Sequence, residues 1–334
     1  KMWGGWGGHL YFPLEYYIKA MAVFFSIISA VTMFFLIKHF RPKSCYLPTV
    51  IACATLFSPA FLLDILKANL PDSLYLSFML LSLLCFVKRK TGSAWFLCIV
   101  GACFKLMAIY LIPVYIWFYL KNFKTDSLYE KIKPFIFSFL ALLICSLPNI
   151  ITGGSFKDAI VTPILERSNA MMNSYSLSIW NFLPNNHKDF HLFAITLTGL
   201  TFIILFIFLK SFVRKEHYAA IEFPVLLTLS PLICYFFLPA QHEAYFASAT
   251  IFAVLGAVIM LNKKFFGIAV ALNALFFYIY SLIISMISKA MNTIDLLSSG
   301  RLLFQLLTLV YIAIVGSLLQ EIWRNSRLYK QTTS

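Results

Sequence analysis

Runs of apolar residues about as long as a bilayer core is thick recur from one end of this 334-residue chain to the other. A chain built this way satisfies its backbone polar groups within helices and faces lipid with much of its apolar surface. Such segments read at about 16–37, 45–64, 73–87, 93–104, 107–120, 134–152, 191–209, 217–238, 246–261, 265–284 and 302–320. Composition agrees: 61% of residues are hydrophobic and 12% charged, with a mean hydropathy of +0.84, against an apolar share of about 45–50% in soluble domains. A soluble globular protein is excluded. With no internal repeat and no low-complexity linker, the expected fold is all-α: one polytopic transmembrane helical bundle over residues 1–334, of about eleven membrane segments.

The stretch 93–120 tests that division. It is long for one span and short for two, but Lys105 in its middle and Pro113 beyond suggest a broken helix pair that turns inside the protein. The basic residues decide between the two readings. Lys38/Arg41/Lys43, Lys88/Arg89/Lys90, Lys121/Lys124/Lys131/Lys133, Lys210/Arg214/Lys215, Lys263/Lys264 and Arg324/Arg327/Lys330 hold 18 of the 27 Lys and Arg. Counting 93–120 as two passes puts all six clusters on one side of the membrane; counting it as one splits them. The rule that cytoplasmic loops are basic favours two passes and makes the cluster side cytoplasmic. The same rule explains the excess of 27 basic over 13 acidic residues, and no basic stretch is long or aromatic enough for a nucleic-acid groove.

The opposite, outer side then receives the groups with chemistry. Asp64, Asp72, Asp158, Glu166, Asp189, Glu243 and Asp295 fall there, with Lys67, Lys105, Arg167 and His242. Residue 1 is Lys, and the first span runs from outside to inside with no signal peptide before it, so a further span is expected upstream. The 153–190 segment is the one long stretch between spans; Phe156, Ala159, Ile160, Ile164 and Leu165 alternate with Lys157, Asp158, Glu166 and Arg167 at helical spacing, which predicts an amphipathic helix in the outer interface.

Each candidate site also has a plain structural reading. Pro71 and Asp72 suit the first turn of a helix, where a carboxylate meets the positive end of the dipole. Lys105, between Phe104 and Leu106, either snorkels or meets an anion. Gln241-His242-Glu243-Ala244-Tyr245-Phe246 is a short loop between spans that lacks HExxH spacing. Asn173 to Asn181, with Tyr175 and Trp180, suits an interfacial anchor. The seven cysteines lie in or beside apolar runs without a CxxC pair, and read as packing residues rather than disulfides or zinc ligands.

The order of these segments says more than any one of them. A PDSLY segment opening a span, KLMAIYLIP in a broken helix pair, SIWNFLP in the long outer loop and LPAQHEAYF between later spans together resemble the bacterial integral-membrane glycosyltransferases of the GT-C superfamily, in the branch similar to the GPI mannosyltransferases. The resemblance covers roughly residues 10–260. Asn69-Leu70-Pro71 stands where that family has Gly-Gln-x, Ala244 stands where its HERY-like loop has Arg, and Glu15 aligns with its Pro-x-x-Tyr stretch. The acidic residue that the family carries in its first outer loop is expected upstream of residue 1.

That resemblance implies a multi-pass cell-membrane enzyme with its site facing outside, or facing the endoplasmic reticulum lumen in a eukaryote. It implies inverting transfer of a hexose, with mannose as one candidate, from a polyprenyl-phosphate donor to a glycan or glycolipid acceptor. Such chemistry needs a carboxylate for the acceptor proton and a cation for the departing phosphate. Asp72, His242 and Glu243 are the catalytic candidates, and Lys105 and Arg167 the candidates for the donor phosphate, with His242 also placed to assist there. Asn173, Trp180, Asn181 and Tyr245 are the candidates for sugar or acceptor contacts. A divalent cation, Mg or Mn, at Asp72 with Glu243 stays open, though no ligand spacing demands a metal. The competing readings are a lipid-linked oligosaccharide polymerase or ligase, a transporter and a non-catalytic scaffold.

Overall fold

The computed structural model describes residues 14–67, 72–162, 173–174, 176–183, 190–212, 219–289 and 296–331. Among them are twelve α-helices. In chain order these are α1 (Leu14–Phe40), α2 (Leu47–Leu56), α3 (Pro59–Lys67), α4 (Asp72–Val87), α5 (Thr91–Phe104) and α6 (Ile112–Asn122). They continue with α7 (Leu128–Ile151), α8 (His191–Phe212), α9 (Ala219–Phe237), α10 (Phe246–Met260), α11 (Lys263–Lys289) and α12 (Leu296–Gln331). A 3-10 segment, Leu106–Leu111, joins α5 to α6, and the one strand pairing among the described residues is a two-residue parallel bridge of β1 (Asn173–Ser174) with β2 (Gln241–His242).

Five stretches, Tyr16–Phe40, Leu128–Ile151, His191–Lys210, Lys263–Ile283 and Leu302–Arg324, are helical, long and apolar enough to cross a membrane. These long helices carry the exposed apolar surface: Phe135, Phe139 and Ile151 on α7 and Ile203, Ile204 and Ile207 on α8 all face outward, as lipid-facing side chains do. Two of the shorter apolar helices, α4 and α10, pack inside them. Ten of the 16 residues of α4 and twelve of the 15 of α10 are buried. A helix that is apolar all round belongs in such a position. The chain is therefore a membrane-embedded helical protein in which α4 and α10 lie in the interior.

The apolar segment at 45–64 is two helices, because Ser58 and Pro59 interrupt the hydrogen-bond ladder between α2 and α3. The polar start of α7 lies outside the apolar run: Ser127 caps it, its hydroxyl accepting from the Glu130 backbone N–H at 3.3 Å.

Contacts sort the helix ends into two groups. At one end, Phe40 stacks on Phe223 at 5.4 Å, Lys88 lies over the Phe35 ring at 5.9 Å and Arg41 donates to the Ile259 carbonyl. At this end too, Lys121 pairs with Glu222 at 2.9 Å, Thr91 donates to Glu130 at 2.9 Å, Lys264 pairs with Glu321 at 3.1 Å and Phe208 stacks on Trp323 at 6.0 Å. The helix ends that carry the six basic clusters thus share one face of the bundle.

The largest fully buried side chains include Tyr110, Tyr115, Tyr235 and Tyr311, whose hydroxyls need partners in an apolar interior. Tyr110 donates to Gln241 Oε1 at 2.5 Å and Tyr311 to the Leu232 carbonyl at 2.9 Å. Tyr115 shares a 2.6 Å bond with Ser82, and Tyr235 accepts from the Leu177 N–H at 3.0 Å. These bonds fix helix registry where apolar packing alone has little directionality.

All seven cysteines are unpaired. Cys98 and Cys234 are buried as packing residues, whereas Cys45, Cys53 and Cys103 lie exposed on the bundle surface. Of the expected interfacial helix, the start is described. Ser155 N–H and Oγ both donate to Asp158 Oδ2, at 3.0 and 2.6 Å, and Asp158 N–H donates back to Ser155 Oγ at 3.1 Å. This reciprocal cap opens a short wide-turn helix, Lys157–Val161, and its hydrogen bonds hold the Asp158 carboxyl below its ordinary range. Residues 163–172, with Ile164, Leu165, Glu166 and Arg167, lie outside the described residues.

Candidate functional site

Lys105 stands at a break in the backbone. It ends α5 in an extended conformation (φ −151°, ψ 124°), donates its N–H to the Gly101 carbonyl at 2.9 Å, and hands the chain to the 3-10 segment. The chain then folds back: Trp95, ten residues before Lys105, meets Tyr115, ten residues after it, with ring centroids 5.6 Å apart. Cys98 Sγ lies 3.4 Å from the Ala108 carbonyl between the same two arms. Lys105 is thus the tip of a helical hairpin, as the sequence leads one to expect.

Gly101 makes the tip possible. A Cβ there would stand 3.0 Å from Phe78 Cβ and 3.1 Å from Ala108 Cβ, so α4, α5 and the 3-10 segment approach one another only over a glycine. Their approach brings the Lys105 ammonium onto the Asp72 carboxylate, at the first residue of α4. The Asp72 side chain is 4% exposed and that of Lys105 16%. The start of α4 favours the anion through the helix dipole, and the ammonium offsets the cost of burying it.

Two aromatic rings flank the pair. Lys105 Nζ lies 5.3 Å from the Tyr75 ring centroid and 4.9 Å from that of Tyr245, within reach of the negative faces of both. The His242 ring meets Tyr245 edge to face at 5.4 Å, and His242 itself is exposed. Three segments separated in sequence, at 72–75, 105–110 and 241–245, thereby meet at the end of the bundle opposite the basic clusters.

The 241–245 loop is held from both sides. Ala240 takes a left-handed conformation (φ 56°), a position that favours glycine, and turns the chain out of α9 into β2. Gln241 accepts from Tyr110, donates to the Pro239 carbonyl at 3.0 Å, and pairs in β2 with Asn173 of β1. Downstream of β1, Trp180 is buried and donates its indole N–H to the Phe237 carbonyl at 2.9 Å. The Asn181 amide donates to the Ser176 carbonyl at 2.6 Å and to Thr308 Oγ1 at 2.8 Å, and its backbone carbonyl accepts from Gln305 at 2.9 Å.

Of the residues singled out in the sequence, Asp72, Lys105, His242 and Tyr245 are brought together. Asn173 joins the same loop through its backbone. Trp180 and Asn181 lie against α9 and α12, with their polar groups engaged there. Glu243 occupies the 3-10 turn Glu243–Tyr245, its side chain outside the described atoms, and Arg167 lies outside the described residues. Tyr75, Tyr110 and Gln241 belong to the site as well. Tyr75 stands one helical turn after Asp72, a spacing that puts both on one face, and Gln241 adjoins His242. Tyr110 carries no such signal.

Asp72 faces the Lys105 ammonium, and the side chain of Glu243, the other carboxylate named for a divalent cation, lies outside the described atoms. The Lys105 ammonium sits against one carboxylate oxygen of Asp72, Oδ1. Among the described residues no group of three or more His, Cys, Asp or Glu side chains converges, and a hard cation needs several oxygen ligands. The arrangement instead offers a cation with an anionic partner that another anion can replace, beside two aromatic faces and an imidazole. The chain matches no protein-family model and no curated protein with which it was compared.

Proposed function

We propose that this chain is an integral-membrane glycosyltransferase of the GT-C type. It moves a hexose from a polyprenyl-phosphate donor to a glycan or glycolipid acceptor at the outer face of the membrane, with inversion. The observation that carries this reading is the meeting of Asp72, Lys105, Tyr245 and His242 at the bundle end opposite the basic clusters. In this reading the basic face is cytoplasmic and the chain crosses the membrane eleven times, with α2 and α3 forming one crossing and α5 and the Leu106–Asn122 arm one each.

The chemistry follows from the groups present. The acceptor hydroxyl oxygen forms a bond to the anomeric carbon as the bond from that carbon to the phosphate oxygen breaks. The acceptor proton passes to a carboxylate, and polyprenyl phosphate leaves. Lys105 stabilises the departing phosphate, and shifts from Asp72 to it when the donor binds. Asp72, freed of its partner, faces the acceptor, and Glu243 on the neighbouring turn is a second carboxylate candidate, beside the acidic residue expected upstream of residue 1. His242 assists at the phosphate, and Arg167 is the other candidate for that role. Tyr245 offers its ring to the sugar, and Asn173, Trp180 and Asn181 hold the outer loop over it.

Mass spectrometry of envelope glycans tests the reading in cells that carry the native gene, its deletion, or Asp72→Asn at equal protein level. Loss of the same single sugar in the deletion and in Asp72→Asn is the expected result. Unchanged glycans in all three strains would remove the transferase reading and leave the pair as a structural latch of a scaffold or transporter.

A further inference from the structure

At the basic end of the bundle, away from the Asp72–Lys105 site, a groove of about 770 Å³ runs between α11 and α12. Its size falls within the ordinary range for small-molecule sites, about 300–1,000 Å³. Ile268 and Ile314 line it, with Lys264, Trp323 and Arg324 toward the ends of α11 and α12 that carry the basic clusters. The two helices are lipid-facing beside it: Phe266 and Val270 on α11 and Leu319 on α12 are about half exposed, at 50%, 54% and 49%. That end of the groove therefore lies where apolar surface gives way to basic residues, the depth at which tryptophan concentrates in membrane proteins.

Charge selects the occupant. Glu321 also lines the groove, and its carboxylate is already held by Lys264 Nζ at 3.1 Å and Asn262 Nδ2 at 3.2 Å. Two cations against one carboxylate leave one positive charge, which a single phosphodiester neutralises. The Lys264 side chain is 58% exposed, so its ammonium, with three donors, can serve Glu321 and a second acceptor together. Gly267 opens the wall, for a Cβ built there meets nothing within 4 Å.

We propose that this groove is a binding site for an anionic phospholipid, its phosphodiester on Lys264 and Arg324 and part of its hydrocarbon along Ile268 and Ile314. Basic pockets between membrane helices on the side of the anionic leaflet have the chemistry such lipids require. The site is independent of the transferase reading.

Native mass spectrometry of the purified full chain, titrated with dioleoylphosphatidylglycerol or dioleoylphosphatidylcholine, tests this. One phosphatidylglycerol adduct is expected to survive activation that strips phosphatidylcholine, and inorganic phosphate at equal concentration should not displace it. Lys264→Gln with Arg324→Gln should weaken the adduct about thirtyfold, at roughly a factor of five for each basic residue. Gly267→Leu, which fills the groove and keeps every charge, should abolish it, while Lys88→Gln with Lys90→Gln, an equal charge loss elsewhere on the basic face, should leave it intact. Equal retention of phosphatidylcholine, displacement by phosphate, an adduct that survives Gly267→Leu, or an equal loss in the Lys88/Lys90 variant would each overturn the proposal.

Discussion

Lys105→Ala is expected to lower the stability of the folded protein by about 3 kcal/mol, because it leaves a buried carboxylate without its cation. The Asp72 side chain is only 4% exposed and sits among Tyr75, Tyr245 and the first turn of α4. Asp72→Ala is expected to cost a similar amount by stranding the ammonium. The double variant Asp72→Asn/Lys105→Met, which removes both charges while roughly keeping volume, should return to within about 1 kcal/mol of the native protein. Unfolding in detergent micelles, followed for all four proteins, checks this. A double variant that loses the sum of the two single costs would show that the residues act separately and that the buried pair is not the unit holding the hairpin tip.

The second large effect belongs to Gly101. Its Cβ position is already contested by Phe78 Cβ at 3.0 Å and Ala108 Cβ at 3.1 Å, neither of which can swing aside as the end of a long side chain would. Gly101→Leu is expected to drive α4, α5 and the 3-10 segment apart, at about 3 kcal/mol or more of overpacking, and to separate Lys105 from Asp72. Gly199→Leu on α8 is the matched control, since Gly199 is exposed and a Cβ there meets nothing within 4 Å. It should not destabilise the protein, since replacing a glycine inside a helix favours the helix by up to about 1 kcal/mol. Equal unfolding midpoints for the two variants would mean that the close approach over Gly101 does not hold the site together.

Much of the architecture is legible in the residues, for reasons that differ from place to place. Pro71 and Asp72 announce the start of α4, and Lys105 between two apolar arms announces the turn of the hairpin, because a helix start and a buried charge are both local signals. The basic clusters foretell which helix ends meet, since like topology gathers them: Arg41, Lys88, Lys121 and Lys264 do lie on one face. Helix lengths are less legible. The apolar run at 302–320 sits within a helix of 36 residues, Leu296–Gln331, because amphipathic ends continue a helix without continuing its hydrophobicity. The burial of α4 and α10 within longer helices leaves almost no trace either, as lipid-facing and protein-facing positions in a membrane are equally apolar.

The site shows the same division. Asp72, Lys105, His242 and Tyr245 stand out in sequence as polar or ionisable groups in apolar surroundings, and all four converge. Tyr110 does not stand out, because one tyrosine among 17 carries no mark of the 2.5 Å bond it gives to Gln241. Trp180 and Asn181 stand out by residue type, and their indole N–H and amide brace the 173–183 segment against Phe237 and Thr308. The residue types alone do not announce these two bonds, which depend on where Phe237 and Thr308 stand in three dimensions.

The proposed activity is tested most directly with the purified chain in vesicles that carry a polyprenyl-phosphate hexose and the glycolipids extracted from a strain lacking the gene. The native protein should release polyprenyl phosphate and lengthen one glycolipid by one hexose. Lys105→Ala, which removes the cation at the leaving phosphate, should slow that release by about 10²–10³-fold, and the Asp72→Asn/Lys105→Met protein, folded but uncharged, should be at least as slow. Release by the uncharged double variant at the native rate would contradict a transferase site at this pair, as would a native protein that leaves the donor intact.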